Sequence, residues 1–261
     1  MRAPDGTAFD IHGPLAAPSV VLIHGLGLNR ALWAQTRPAL TNYRVLTYDL
    51  SGHGQTPHLA DRPTLADLTW QLADLLTYLH LPKAALIGFS LGGMVARHFA
   101  RTHATRVTAL ALLNTPHRRS PDAQAAVSSR VTEAATKGPA ATVEAALERW
   151  FTDPFRAANP ATMDLVRQWV LANDPATYPH YYRIFADDVD QVLFPDPPLT
   201  CPTLVVTADQ DHGNNPAMAR AITAEIPGAQ TLILPGLRHM ALMEDPAAIN
   251  NALAAFFKES L

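Results

Sequence analysis

Leu86-Ile87-Gly88-Phe89-Ser90-Leu91-Gly92-Gly93-Met94 is the stretch that decides the fold. Its front half extends the apolar run Ala85-Leu86-Ile87-Gly88, which reads as a buried strand. Its back half opens a segment in which Leu91, Met94, Val95 and Phe99 share one face at helical spacing. A serine between strand and helix, with a glycine two positions away on each side, predicts a sharp turn. Such a turn projects the hydroxyl from the sheet edge and aims the helix dipole at it. A bare G-x-S-x-G arises often by chance. The flanking elements and the extra Gly93 give this one its weight.

Outward from that turn, Val20-Val21-Leu22-Ile23, Arg44 to Tyr48, Leu110 to Leu113, Thr203 to Thr207 and Thr231 to Leu234 are further apolar runs. They are near-continuously apolar rather than alternating, as expected of parallel strands covered on both faces. Amphipathic segments lie between them, so the class is α/β. Leu65, Leu68, Leu72, Leu75 and Leu79 form one helical face, with Thr64 and Asp67 as a capping box at its start. Asp245-Pro246 opens a last helix that buries Ile249, Leu253, Phe256 and Phe257. Asn215-Pro216 and Asn159-Pro160 repeat that opening. Asp5-Gly6 has the form of a hairpin turn, but its flanking strands are weak.

From His117 to Leu199 the alternation stops. That stretch carries helical patterns, among them 141–150 and 162–171, and returns through Pro195-Asp196-Pro197-Pro198. It reads as a helical insertion above the sheet. The expected division is a core of residues 1–116 and 200–261 with a cap of residues 117–199.

The chain has 261 residues, 48% hydrophobic and 16% charged, with a net charge of −3. One large domain, or a domain with an insertion, fits that length. Cys201 is the single cysteine, which excludes an intramolecular disulfide and a Cys-rich zinc module. A reducing, cytoplasmic setting is the expectation. Only Lys83, Lys137 and Lys258 are lysines, and no basic run offers a nucleic-acid footprint. No apolar stretch has the length of a membrane span.

A serine at neutral pH needs a base, and the base needs an acid to orient it. Of the histidines after Ser90, only His212 and His239 lie in loops that follow late strands. His239, after the last apolar run, is the expected base. Val205-Val206-Thr207-Ala208-Asp209-Gln210-Asp211-His212 offers two carboxylates. Asp211 is preferred and Asp209 stands second, because spacing alone does not separate them. The same Asp-x-Asp-His run lacks the further ligand spacing of a metal site. His24-Gly25-Leu26-Gly27 follows an early strand, so the Leu26 amide, with that of Leu91, is the expected oxyanion hole. A dinucleotide reading of that loop fails where Arg30 occupies the third glycine position. Trp33 is expected to pack beneath the loop, and His53 to be a turn or core residue. Trp150 and Arg118 are carried forward as substrate contacts, the arginine for a substrate carboxylate. The rival readings are a tryptophan that packs the insertion and an arginine on a solvated loop.

Taken together, His24-Gly25-Leu26-Gly27, Asp49-Leu50-Ser51-Gly52-His53-Gly54, the Ser90 turn, Asp211 with Pro216, and His239 with Glu244 and Pro246 resemble the α/β-hydrolases. The resemblance implies a mostly parallel eight-stranded sheet flanked by helices, with a helical cap between strands six and seven. It also implies Ser90 as nucleophile, Asp211 as acid and His239 as base. Within that superfamily the chain is similar to the 3-oxoadipate enol-lactonase group, through Ser90-Leu91-Gly92-Gly93-Met94, Asn114-Thr115 and Leu147-Glu148-Arg149-Trp150-Phe151. It departs where Ser51-Gly52-His53-Gly54 replaces the usual R-G-H-G. The expected activity is hydrolysis of a small carboxylic ester or lactone through an acyl-enzyme, without cofactor or metal, by a monomer or homodimer. C–C bond hydrolysis, acyl transfer and non-catalytic ligand binding are the alternatives on the same residues.

Overall fold

The computed structural model describes residues 1–261. Seven strands form one sheet: β1 (Phe9–His12), β2 (Ser19–Ile23), β3 (Arg44–Tyr48), β4 (Ala84–Phe89), β5 (Val107–Leu113), β6 (Thr203–Ala208) and β7 (Gln230–Leu234). Their spatial order is β1-β3-β2-β4-β5-β6-β7. Every neighbouring pair is parallel except β1 with β3.

The sheet has one strand fewer than the resemblance implies. In place of an eighth strand, the residues before the Gly6 turn make a single antiparallel bridge, Arg2 to Ala8. Pro4 has no N–H to donate, and Gly6 turns the chain at φ +92°, so no ladder extends there.

Apolar side chains alternate between the two faces of the central strands. Val21, Ile23, Leu86, Leu110 and Leu112 join a core with α1 (Leu65–Tyr78) and α2 (Leu91–Thr102). Val20, Leu22, Ile87, Ala111 and Leu113 join a second core with the C-terminal helix, on the opposite face. Both faces are thus covered, which is why these strands read as unbroken apolar runs. The Thr64–Asp67 capping box forms as expected at the start of α1.

Between β5 and β6 the chain is helical: α3 (Pro121–Lys137), α4 (Val143–Trp150), α5 (Asp153–Ala158), α6 (Pro160–Leu171) and α7 (Tyr178–Asp187). After β6 come α8 (Pro216–Glu225), α9 (Ala241–Glu244) and α10 (Pro246–Ser260). Asn215 caps α8 and Asp245 caps α10, each through its side-chain oxygen. Asn159 precedes α6 without a side-chain cap. No helix is long and apolar enough to cross a membrane.

The strand order reverses direction at β2, which has β3 on one side and β4 on the other. In open parallel sheets the crevice outside the strand ends at such a switch point is where ligands bind. The loops after β2 and β4 both open there.

Candidate active site

Ser90 follows β4 at φ 54° and ψ −114°, a left-handed conformation that an L-residue adopts at a cost of about 1–3 kcal/mol. The surrounding packing enforces it. A Cβ on Gly92 would lie 2.2 Å from the Ile23 carbonyl oxygen, and one on Gly88 would lie 2.4 Å from that of Gly92. Only glycine lets α2 approach β2 and β4 so closely. The Ser90 amide donates to Leu113 O at 2.9 Å, and the Thr115 hydroxyl donates to Ser90 O at 3.0 Å, so β5 also grips the turn.

The register pairs Ile23 of β2 with Gly88 of β4. Leu26 and Leu91 are each three residues further along, which brings the two expected oxyanion donors to the same sheet edge. Leu91 is the first residue of α2, ahead of any intrahelical partner for its N–H. The Leu26 N–H has no acceptor among the loop hydrogen bonds.

The loop that carries Leu26 rests on two buried histidines. His24 Nε2 accepts from the Leu50 amide at 2.9 Å, so its proton sits on Nδ1, which donates to Gly25 O at 2.8 Å. Burial lowers His24 from the ordinary 6.5 to about 4. His53, whose ring lies 5.4 Å from that of His24, is lowered to about 3 by burial and by His24. His53 is therefore a core residue, as expected, and Trp33 is buried in the second core beside Leu28.

This arrangement carries a prediction for stability against pH. With folded values below 6.5, the unfolded chain binds more protons than the folded chain in the interval between them. The stabilisation is complete above pH 6.5 and is lost as pH falls toward 4 and then 3. Asp211, also lowered in the folded chain, adds a loss in the same direction below 3.8. The urea midpoint, and with it the unfolding free energy, should fall between about pH 7 and about pH 4.5. A midpoint that stays level over that range would contradict the assignment.

After β6 the two acidic candidates part company. Asp209 accepts from the Gly236 amide at 2.8 Å and braces the turn after β7. Asp211 is 2% exposed, and both its oxygens are occupied. Oδ2 accepts from His239 Nδ1 at 2.7 Å and from Asn114 Nδ2 at 2.9 Å. Oδ1 accepts from the amides of Asn214 at 2.9 Å and Gly213 at 3.1 Å. Burial alone raises a carboxyl's pKa. Here the His239 ring and the hydrogen bonds outweigh burial and hold Asp211 below its ordinary value. A carboxylate only accepts, so the proton of His239 sits on Nδ1 and Nε2 is left as the basic nitrogen.

His239 stands between two aromatic rings, Phe89 at 4.9 Å and Trp150 at 6.2 Å between centroids. Its neighbours tie this loop to the helical stretch between β5 and β6. The Met240 amide donates to Trp150 O at 2.9 Å. Glu244 accepts from the Arg238 amide at 2.8 Å and, through its other oxygen, from the Thr152 amide at 2.7 Å. The Arg238 side chain donates to Glu148 O, Phe151 O and Asp153.

Ser90, Asp211 and His239 all line one cavity of about 200 Å³, together with Leu26, Phe89 and Trp150. The His239–Asp211 hydrogen bond is formed. The Ser90 hydroxyl and His239 share the cavity without a hydrogen bond between them, a separation common before substrate enters. Trp150 lines the cavity. Arg118 does not. It is exposed, 3.8 Å from Asp190, with its guanidinium over the Phe194 ring. The stretch His117-Arg118-Arg119 alternates buried, exposed, buried, so the inward arginine is Arg119. Sequence reading also missed Asn214, whose amide holds Asp211 while its side chain donates to Asn114 O at 2.6 Å. No spacing signal marks a residue that acts through its backbone.

The parallel sheet, the strained serine turn and the carboxylate-held imidazole above it define a hydrolase of the α/β type. The family model for the alpha/beta hydrolase fold matches residues 18–246, and the chain belongs to that family. It is 27% identical over 242 residues to (E)-2-((N-methylformamido)methylene)succinate hydrolase of Acinetobacter baylyi, covering 92% of this chain and 90% of that one. It is 31% identical over 204 residues to 3-oxoadipate enol-lactonase 1 of the same organism, covering 77% and 74%. Its fold superposes on the crystal structure of the enol-lactonase from Burkholderia xenovorans LB400 with a TM-score of 0.89 at 28% identity, covering 97% and 96%.

Proposed function

We propose that the chain is a serine hydrolase that cleaves a small carboxylic ester or lactone through an acyl-enzyme. The observation that carries this is the strained Ser90 in one cavity with an imidazole whose Nδ1 is bound to a buried carboxylate. Similarity to enol-lactonases supports the choice of ester and lactone chemistry.

In the proposed sequence, His239 Nε2 takes the Ser90 proton as Oγ bonds to the acyl carbon. The carbonyl oxygen becomes an oxyanion and receives the Leu26 and Leu91 N–H groups. Collapse breaks the bond to the alkoxy group, which leaves with the proton from His239. Water then gives a proton to His239 as its oxygen bonds to the acyl carbon. Ser90 departs and recovers that proton, and the acid is released. Asp211 remains ionised and stabilises the imidazolium. Residues 117–199 act as a cap over the core of residues 1–116 and 200–261, with α3, α4 and α7 roofing the cavity.

A substrate panel tests the reading. Turnover is expected on p-nitrophenyl esters of short acids and on simple lactones, and not on 1,5-diketones. Turnover confined to the diketones would overturn ester and lactone cleavage in favour of C–C hydrolysis.

A further inference from the structure

Asn173 follows α6, in the helical stretch between β5 and β6, and is 5% exposed. Its Nδ2 has three carbonyl oxygens around it: Gly27 O at 3.0 Å, Trp169 O at 2.9 Å and Val170 O at 2.9 Å. Carbonyls only accept, so the NH2 and not the oxygen of this amide faces them. Trp169 and Val170 belong to the last turn of α6, whereas Gly27 lies 146 positions away in the chain, in the loop after β2.

Closing the helix does not require this side chain. The Ala172 N–H already reaches Gln168 O and Val170 O, and the Asn173 N–H reaches Val170 O. Asn173 Oδ1 is buried without a partner, a cost that an apolar side chain of the same size would avoid. What the amide adds is the bond to Gly27.

That bond falls on a tight turn. The Leu28 N–H donates to Gly25 O at 3.3 Å, with Leu26 and Gly27 at the two central positions. Gly27 has φ +75° and Leu26 keeps a negative φ, the pattern of a type II turn. In a trans peptide the C=O and the N–H point opposite ways. By gripping Gly27 O, Asn173 aims the Leu28 N–H of the same peptide at Gly25 O. Gly25 O in turn shares its peptide with the Leu26 N–H, which therefore points out of the turn and has no acceptor in the protein. His24 Nδ1 holds Gly25 O from the core side at 2.8 Å. The Leu28 bond is the longer of the two and so the one that a grip on its peptide can firm. Hydrogen bonds in such a chain also polarise one another, which makes each N–H a better donor.

We propose that Asn173 is a positioning residue for the oxyanion hole: through two linked peptide planes it sets the direction of the Leu26 N–H and strengthens it as a donor. This rests on the hydrolase reading above, in which that N–H receives the oxyanion. The helical stretch between β5 and β6 then governs more than which substrate fits. It holds the oxyanion loop through Asn173 and the His239 loop through Trp150 O and the Thr152 amide.

A donor that acts where charge develops shows in kcat rather than in KM. The test compares Asn173→Leu and Asn173→Ser, whose hydroxyl is too short to span to Gly27 O, with Asn159→Ala. The last removes an amide that donates to Phe155 O at 3.0 Å in the same helical stretch without reaching the core. On p-nitrophenyl butyrate, kcat per active site counted by fluorophosphonate titration should fall about tenfold in both Asn173 variants, short of the ~10²–10³ lost with a whole donor, while KM stays within about twofold. 1-Butaneboronic acid bonds its boron to Ser90 Oγ, the serine proton passing to His239, and presents a boronate oxygen to the same N–H groups. Its Ki should rise about tenfold in both variants, as expected of a transition-state analogue. Asn159→Ala should match the parent in kcat and Ki. Should the leucine variant not fold, the serine variant makes the same comparison. Parent-like kcat and Ki in the folded Asn173 variants, or a smaller titrated fraction with Ki unchanged, would overturn the positioning role and leave the hydrolase reading intact. Folded wild-type protein that turns over no ester would instead count against the hydrolase reading itself.

Discussion

Ser90→Ala should lower kcat on a p-nitrophenyl ester by on the order of 10⁵- to 10⁶-fold while the thermal midpoint stays close to that of the parent. The side chain removed is a single hydroxyl that no protein hydrogen bond depends on. The turn that holds residue 90 at φ 54° is set by Gly88, Gly92 and the contacts of β5, all retained in the variant. Catalysis and stability are therefore separable at this position. Residual rate would come from the Leu26 and Leu91 amides and from binding, which need no nucleophile. Turnover within tenfold of the parent would remove Ser90 from the mechanism.

Asp211→Asn should cost about 10⁴-fold in kcat through a change of tautomer. The two backbone amides at Oδ1 keep an oxygen on that side, since an amide NH2 facing the Asn214 and Gly213 N–H groups would oppose donor to donor. The new NH2 then faces His239. It donates to Nδ1, the imidazole proton moves to Nε2, and the nitrogen that should accept the serine proton no longer can. Asn114 can adjust, because its Oδ1 has no partner and a flip of its amide turns that oxygen toward the new NH2. The variant should therefore stay folded and lose activity, whereas Asp209→Asn should leave kcat within a fewfold. An Asp211→Asn variant that keeps kcat within about tenfold of the parent would show that the imidazole does not depend on Asp211.

Six of the seven strands are legible in the sequence as apolar runs, five of them because they are largely buried, and β7, a partly exposed edge strand, through Leu232-Ile233-Leu234. The exception is β1. Phe9 is buried, but Asp10 and His12 point outward from an edge strand, and a four-residue segment of that composition gives no period to read. The stretch between β5 and β6 is legible as helical, although the sequence delimits only two of its five α-helices. In α3 just Val127, Val131 and Ala134 are buried along seventeen residues, so the apolar stripe is faint. Ser90, Asp211 and His239 can be grouped from the sequence because each follows a strand end, those of β4, β6 and β7, in chain order. Asp209 and Asp211 were separable only in three dimensions, through the loop after β7 that one braces and the imidazole that the other holds. Arg118 illustrates the same limit. In an irregular loop nothing periodic says which of two neighbouring arginines turns inward, and it is Arg119 that does.

The proposed mechanism requires the Ser90 Oγ to be the attacking atom, and intact-protein mass spectrometry after treatment with a fluorophosphonate reads this directly. A single adduct on the peptide containing Ser90, absent in Ser90→Ala and formed far more slowly in His239→Ala, is the predicted result. Folded protein that takes up no label, or takes it at another residue, would contradict the claim.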